Sequence, residues 1–468
     1  MNKHYRTLGN LNPGLILLIS CAVLLASAPL SAQTFTSLGS FAPNQGADFN
    51  TPLVQGLDGN FYGAVSQGGT SKACGGGGCG TLFRITPEGV ISVVYTSIRG
   101  SEEPGETLQL ASDGSFFTTT MDGGPYYDGS VVRITPQGSI RTLHAFSGPE
   151  GANPTEGVIQ GFDGNFYGWT VSGGSTQSGT FFKINTSGQL TSYNLASVAQ
   201  GFWPMPMVQC GDGNFYTTFL YGGLNDHGAV IKVTPKGVVT VLHSFTDNDG
   251  QGSFGGVIEG PDGSLYGTTQ VGGTATLGTV YRITPAGAYT VLHSFTGPDG
   301  EYPEGITLGT DGNFYGVTLV GGANNYGTIF QITPHGSLKT LYHLCSQANC
   351  ADGRNSGKIM QGTDGNFYGT TALGGAPYDN GTFFKLSMGL APFVKTAPAG
   401  GAVGRQVKIL GNDLTGTTSV TFNGTPAAFT VISPTAIATT VPAGATTGTV
   451  VVTTPSAKLK SNVAFRIP

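Results

Sequence analysis

The sequence predicts an all-β chain, a seven-bladed β-propeller closed by its own N-terminal strand and followed by a β-sandwich. Three observations carry this. First, a core of the form DG[NS][FL][FY] recurs with its aspartate at Asp58, Asp113, Asp163, Asp212, Asp262, Asp311 and Asp364, at spacings of 55, 50, 49, 50, 49 and 53 residues, the period of a repeat architecture. Second, each copy holds four short runs of strand character separated by turn residues, the makings of a four-stranded blade. Third, the last copy lacks its fourth strand, while a matching segment, TFTSLGSF at 34–41, precedes the first copy.

Composition agrees. Glycine supplies 77 of 468 residues, about 16% against a usual ~7%, and Gly with Pro reaches 103, a level that signals disorder unless it is periodic. Here the glycines recur at fixed turn positions. Only 10% of residues are charged, too few for the solvated faces of long helices, so no helix is expected beyond the N-terminus.

That N-terminus carries Lys3 and Arg6, an apolar run from Leu15 to Leu25 and small residues through Ser31 and Ala32. It reads as a secretory signal over 1–32, cut before Gln33. An uncleaved anchor fits less well, because Pro29 and Ser31 end the apolar run short of the ~20 residues of a span. A lipoprotein-like box at Leu18–Cys21 would leave apolar 22–30 on the mature chain. Removing Lys3 and Arg6 leaves 19 basic against 26 acidic residues, a net charge of −7. No basic patch invites nucleic acid, and no membrane span is expected after cleavage.

The fifth copy sets out the blade. Strand A is expected over 256–260, B over 265–269, C over 278–284 and D over 289–295. Asp262-Gly263 reads as a two-residue A–B hairpin with positive φ, and Pro285 with Gly287 punctuates the C–D turn. In strand B, Leu265 and Tyr266 point to opposite faces yet are both apolar, so the sheet must be covered on both sides. The longer link at 296–304 crosses to the next blade. Copies fall at 51–97, 106–146, 156–195, 205–245, 255–295, 304–344 and 357–386, and the propeller occupies 33–387.

DGNFYGTT, GG, GT[VI][FY]xITPxG and T[VL]LHSF resemble the GloVer tandem repeat of exported bacterial proteins known as choice-of-anchor proteins. The likeness covers about 34–387. It implies export and an anchoring tail, although this chain shows no apolar C-terminal sorting segment. From about Ala391 the repeat stops. Gly404, the run 407–411, VTFNG at 420–424, Val441-Pro442 and 449–453 resemble an IPT/TIG domain, which implies an immunoglobulin-like sandwich over 393–468 behind a linker at 388–392. Alternating Val, Thr and Ile between Gly and Pro turns support a sandwich independently.

Export permits disulfides. Cys74 and Cys79 flank four glycines, and Cys345 and Cys350 share the same gap. Neither pair has zinc-site company, so local bridges are expected, the alternative being a bridge between the two loops, with Cys210 a buried thiol in a strand A. One aspartate per turn falls short of the six to eight oxygens that calcium takes, so those aspartates read as structural. His144, His243, His293 and His343 share one D-strand position and read as an edge or packing feature. Neither a metal nor a cofactor is predicted.

A functional site must break the sevenfold pattern. The D–A links and B–C loops emerge on one face, opposite the tight turns. Seven residues before each repeat aspartate stand Thr51, Glu106, Glu156, Met205, Gly255, Glu304 and Gly357. Glu106, Glu156 and Glu304 would make an acidic channel mouth, with Tyr126, Tyr127, Phe202 and Trp203 as nearby stacking surfaces for a sugar. Glu304 lies across the channel, and its alternative role is a rim charge. No GxSxG, HExxH or phosphate-cradling motif appears. The reading is therefore a non-enzymatic binding or scaffold protein, secreted or of the cell envelope or periplasm. Its partner would be a polysaccharide, a surface glycan or another envelope protein. The alternative is a secreted carbohydrate-active hydrolase or lyase using channel carboxylates.

Overall fold

The computed structural model describes residues 33–49, 51–71, 79–97, 107–195 and 203–468. Among these, regular structure is all strand apart from two three-residue 3-10 turns, Pro43–Gln45 and Ala348–Cys350. Six four-stranded antiparallel sheets follow one another, each made of four consecutive strands. In the fifth repeat these are Val257–Glu259, Leu265–Thr269, Thr279–Ile283 and Tyr289–Ser294, the expected A to D strands with slightly trimmed ends.

The seventh sheet joins both ends of the repeat region. Thr34–Ser40 lies antiparallel to Thr382–Ser387, with Thr34 opposite Ser387 and Phe35 opposite Leu386. Phe367–Leu373 and Met360–Gln361 continue this sheet inward. A short additional strand, Arg354–Ser356, also pairs with Phe367–Leu373.

Each sheet buries both faces against its neighbours. One core cluster combines Tyr62 and Leu82 of the first repeat with Phe116 and Ile134 of the second. Another combines Phe61 and Phe83 of the first with Tyr368 and Phe383 of the seventh. The middle of strand B is glycine in five repeats because a strand C ring lies on it. A Cβ would sit 2.4 Å from the Phe83 ring at Gly63 and 2.3 Å from the Phe182 ring at Gly168.

The A–B turn departs from the two-residue hairpin expected. Gly263 N–H donates to Gly260 O at 3.0 Å, and Gly263 has a positive φ of 73° while Asp262 does not. This is a type I turn closed by a left-handed glycine, the usual build of a three-residue hairpin loop. Asp262 is therefore placed as an acceptor. Its Oδ1 takes Ser264 N–H at 3.1 Å, and its Oδ2 takes the Tyr266 hydroxyl at 3.2 Å and Arg282 Nη2 at 2.7 Å. Other repeats do the same: Tyr167, Tyr216, Tyr315 and Tyr368 donate to Asp163, Asp212, Asp311 and Asp364. Lys183, Lys232 and Arg133 pair with Asp163, Asp212 and Asp113 at 2.8, 3.2 and 2.8 Å. One carboxylate thus ties strands A, B and C at the turn.

Neighbouring sheets are also tied edge to edge. Gln55 accepts Thr363 N–H, Gln209 accepts Phe162 N–H and Gln361 accepts Thr310 N–H, at 3.0, 2.7 and 3.0 Å. Each glutamine also donates to its own turn, as Gln209 does to Gly213 O at 2.9 Å. At the outer edge, His144, His243 and His293 bond Glu150, Asp249 and Asp299 six residues on, at 2.7, 3.0 and 2.7 Å. His343 instead accepts Ala323 N–H at Nδ1, 3.1 Å. The shared histidines therefore pin the loops that flank strand D.

Two further four-stranded sheets form the C-terminal sandwich: Lys395–Ala397, Gln406–Leu410, Ala436–Thr440 and Phe429–Ser433 in one, Thr425–Pro426, Ser419–Phe422, Val450–Thr453 and Lys458–Lys460 in the other. Val407, Ile409, Phe422, Ile437 and Val452 fill its core. The 388–392 segment is not a loose tether, since Met388 and Leu390 pack on the seventh-repeat core. The sandwich docks on the tight-turn face. Thr435 Oγ1 donates to Leu57 O at 2.8 Å, Arg405 to Asp163 O at 3.2 Å, and Arg466 pairs with Glu259 at 3.1 Å.

Cys345 and Cys350 form a disulfide, with Cα atoms 4.1 Å apart. Cys79 is also disulfide-bonded, and Cys74 lies outside the described residues. Cys210, just beyond strand Val208–Gln209, is a buried free thiol, and burial pushes its pKa up.

Two outcomes are expected. Deleting residues 33–41 removes the strand beside Thr382–Ser387 and bares an apolar edge; size-exclusion chromatography should then show high-mass aggregate, and an unchanged monomer with an unchanged melting temperature would contradict this. The second concerns acid. Burial alone would raise the carboxyls of Asp163, Asp212 and Asp262, but hydrogen bonds led by Lys183, Asn214 and Arg282 hold them below the usual range. A depressed carboxylate stabilises the fold above its unfolded pKa of about 3.9, and that contribution is lost as pH falls through the folded value. The melting temperature should therefore drop on acidification below about pH 4, and combining Asp163→Asn, Asp212→Asn and Asp262→Asn should flatten that slope.

Candidate functional site

The A strands begin on the long-loop face, where the repeat's residue types diverge most. From every repeat a residue seven or six places before the repeat aspartate lines a cavity of about 190 Å³ there, with Glu156, Trp203, Met205, Gly255, Glu304 and Lys358 among the lining. Of the predicted site residues, Glu156, Trp203 and Glu304 are thus brought together. Glu304 shares the cavity and accepts a hydrogen bond from Gln270 Nε2. Tyr126 and Tyr127 are 61% and 72% exposed in the B–C loop of the second repeat and do not line the cavity. Glu106 and Phe202 lie outside the described residues.

Trp203 has an unusual backbone. Its C=O accepts Leu220 N–H at 3.0 Å, the bond that Asn153 accepts from Val171 at 3.2 Å and Gly252 from Gln270 at 2.8 Å. In these three repeats the residue at the bend is left-handed, with φ of 55° at Asn153, 67° at Gly252 and 70° at Trp203. Asn and Gly adopt that conformation readily, whereas a bulky residue there costs on the order of 1–3 kcal/mol. The ring is 41% exposed. A large aromatic held at a strained bend and left half in water is the mark of a contact surface rather than of core packing.

Lys358 was not anticipated. The signal was available: six residues before the repeat aspartate stand Pro52, Thr107, Gly157, Pro206, Gly256, Gly305 and Lys358, one charge in an otherwise uncharged column. Lys358 reaches across the channel, passing Gly305, where a Cβ would lie 3.6 Å from its Cδ, to donate from Nζ to Gly255 O at 3.4 Å. Burial pushes its pKa down to about 8.

Below Lys358 a second cavity of about 290 Å³ is walled by Val208, Ile258, Ile306 and Leu308 and floored by the sandwich segment 462–466. It runs on into a cleft of about 660 Å³ between that segment and the turns at 210–212 and 259–263. The cleft is larger than the mouth, but the Arg466–Glu259 pair that borders it holds the two domains together. Chemically, the mouth offers carboxylates as acceptors, an indole for stacking and one amine.

Segments 70–209, 103–303 and 203–425 match the Gloeobacter/Verrucomicrobia repeat, and 393–467 match the IPT/TIG domain. No curated protein matches the chain. Solved structures similar to it include a fungal alcohol oxidase of the AA5 family in complex with copper, at 12% identity, TM-score 0.49, covering 92% of this chain and 100% of that one. PorZ, a surface component of the type-IX secretion system of Porphyromonas gingivalis, is similar at 12% identity and TM-score 0.47, over 90% of this chain and 59% of that one. The WD40 β-propeller domain of Doa1 is similar at 12% identity and TM-score 0.45, over 75% and 96%. With its repeats matched from residue 70 to 425 and a sandwich matched behind them, the chain belongs to the Gloeobacter/Verrucomicrobia repeat family and carries a C-terminal IPT/TIG domain.

Proposed function

We propose that the seven sheets are the blades of one closed propeller over 33–387, with 393–468 as its docked sandwich, and that the chain is exported after loss of 1–32. The pairing of Thr34–Ser40 with Thr382–Ser387 supports closure, as do the core shared by first and seventh repeats and the Gln55 to Thr363 bond. The Cys345–Cys350 disulfide is consistent with an oxidising compartment.

In this reading the protein is a non-enzymatic binding or scaffold protein of the cell envelope or extracellular space, and the channel mouth holds a polysaccharide or surface glycan. The observation that carries it is Trp203, a strained and half-exposed indole on the same cavity as Glu156 and Glu304. Sugar hydroxyls donate charge-assisted hydrogen bonds to carboxylates, while the apolar face of a sugar stacks on a ring. Tyr126 and Tyr127 extend the aromatic surface on the same face. With one cavity of about 190 Å³, only one or two sugar units enter; the rest of a chain lies over the loops.

The test is a glycan array probed with the secreted chain. Binding is expected, and the double substitution Glu156→Gln with Trp203→Ala should weaken it at least about tenfold, the loss of one stacking contact and one charged hydrogen bond. Unchanged binding by the double variant discards the site. Binding to a surface protein but to no glycan discards the carbohydrate reading. Release of new reducing ends by the parent chain discards the non-enzyme claim and favours the hydrolase or lyase alternative.

A further inference from the structure

Lys358 is more than part of the wall. It is a half-buried amine, and among the described residues its one hydrogen bond is the long one to Gly255 O at 3.4 Å. It belongs to none of the ion pairs among the described residues. A surface lysine is solvated or paired with a carboxylate; this one is half-buried and has no counter-ion among the described residues, and it lines both cavities. The charged residues that share its cavities among the described residues are Glu156 and Glu304 on the mouth side, and Glu259 with Arg466, paired to each other, on the inner side.

Those neighbours select the ligand. An anion coming in through the mouth would pass Glu156 and Glu304, whose charge opposes it, whereas a neutral carbonyl compound meets no such barrier. Desolvated lysines without a partner are the ones that act as amine nucleophiles. We propose that Lys358 is a carbonyl-capturing amine that condenses with an aldehyde, such as the open-chain reducing end of a sugar, entering through the mouth cavity. The nitrogen lone pair attacks the carbonyl carbon and a C–N bond forms. The carbonyl oxygen then leaves as water with the two hydrogens of the amine, giving an imine with no oxidant or reductant. Glu156 and Glu304 are the carboxylates lining the same cavity. The capture does not depend on glycan binding at the mouth, because a small aldehyde reaches the amine without the aromatic surface.

The low pKa of about 8 supports this, since it leaves far more neutral amine at pH 7 than an ordinary lysine near 10.4 has. The experiment is reductive labelling of the full secreted chain with glycolaldehyde and sodium cyanoborohydride at pH 7, followed by peptide mapping. Lys358 should be labelled roughly tenfold faster than the exposed Lys236 and Lys339. Its labelling should rise to half its maximum near pH 8, and Lys358→Arg should lose that adduct alone while keeping the parent's melting temperature. Labelling of Lys358 no faster than of Lys236 and Lys339 overturns the proposal. So does a labelling profile that climbs only near pH 10, and both readouts come from the parent chain, whatever the variant does.

Discussion

The fold hangs on one carboxylate per repeat. At each inner turn an aspartate accepts a backbone N–H two residues on and, in most repeats, a tyrosine hydroxyl from strand B and a cation or amide from strand C; at Asp262 these are Ser264, Tyr266 and Arg282. Turn shape, strand pairing and the orientation of a buried ring are fixed together. The tyrosine is what makes the clamp matter to packing: Tyr266 stacks obliquely on Phe314 of the next repeat with ring centroids 4.2 Å apart. Its phenol, pushed up by burial and then by Asp262, stays protonated and donating. A local hydrogen-bond network thereby sets the geometry between sheets, and seven near-copies of it set the geometry of the whole repeat region.

Much of this was legible in the sequence because it is periodic. The strand bounds of the fifth repeat, the missing fourth strand of the seventh and the segment that fills it could all be read from alternation and spacing. The turn chemistry was less legible. DG suggested a two-residue hairpin, but the donors available to Asp262 favour a longer turn in which the aspartate keeps an ordinary φ and only Gly263 is left-handed. The glutamine ties between sheets were hidden for another reason. Gln55, Gln209 and Gln361 share a column, yet their partners, Thr363, Phe162 and Thr310, belong to other repeats, a relation fixed by which sheets adjoin rather than by local pattern.

The candidate site divides in the same way. Glu156 and Glu304 were found because carboxylates interrupt a column of Thr, Met and Gly, and Trp203 because it stands beside them. Tyr126 and Tyr127 share only a loop position with them; both are exposed and neither lines the cavity. Lys358 breaks its column as plainly as the glutamates break theirs. It was passed over because a lone lysine in a polar chain is ordinary until burial and the absence of a counter-ion are known. The sandwich adds an asymmetry that no repeat encodes. By covering tight turns of the first, third and fifth repeats, it floors the inner cavity and leaves the long-loop mouth as the uncovered end of the channel.

The central claim is that a ligand seats where the repeat loses its symmetry, at the long-loop mouth. Hydrogen–deuterium exchange of the secreted chain with and without the glycan that an array identifies tests this most directly. Exchange should slow at 203–207, 254–256 and 303–306, the backbone around Trp203, Gly255 and Glu304, with the tight turns and the sandwich unaltered. Slowed exchange confined to the tight turns or to 393–468, with the mouth unaffected, would contradict it.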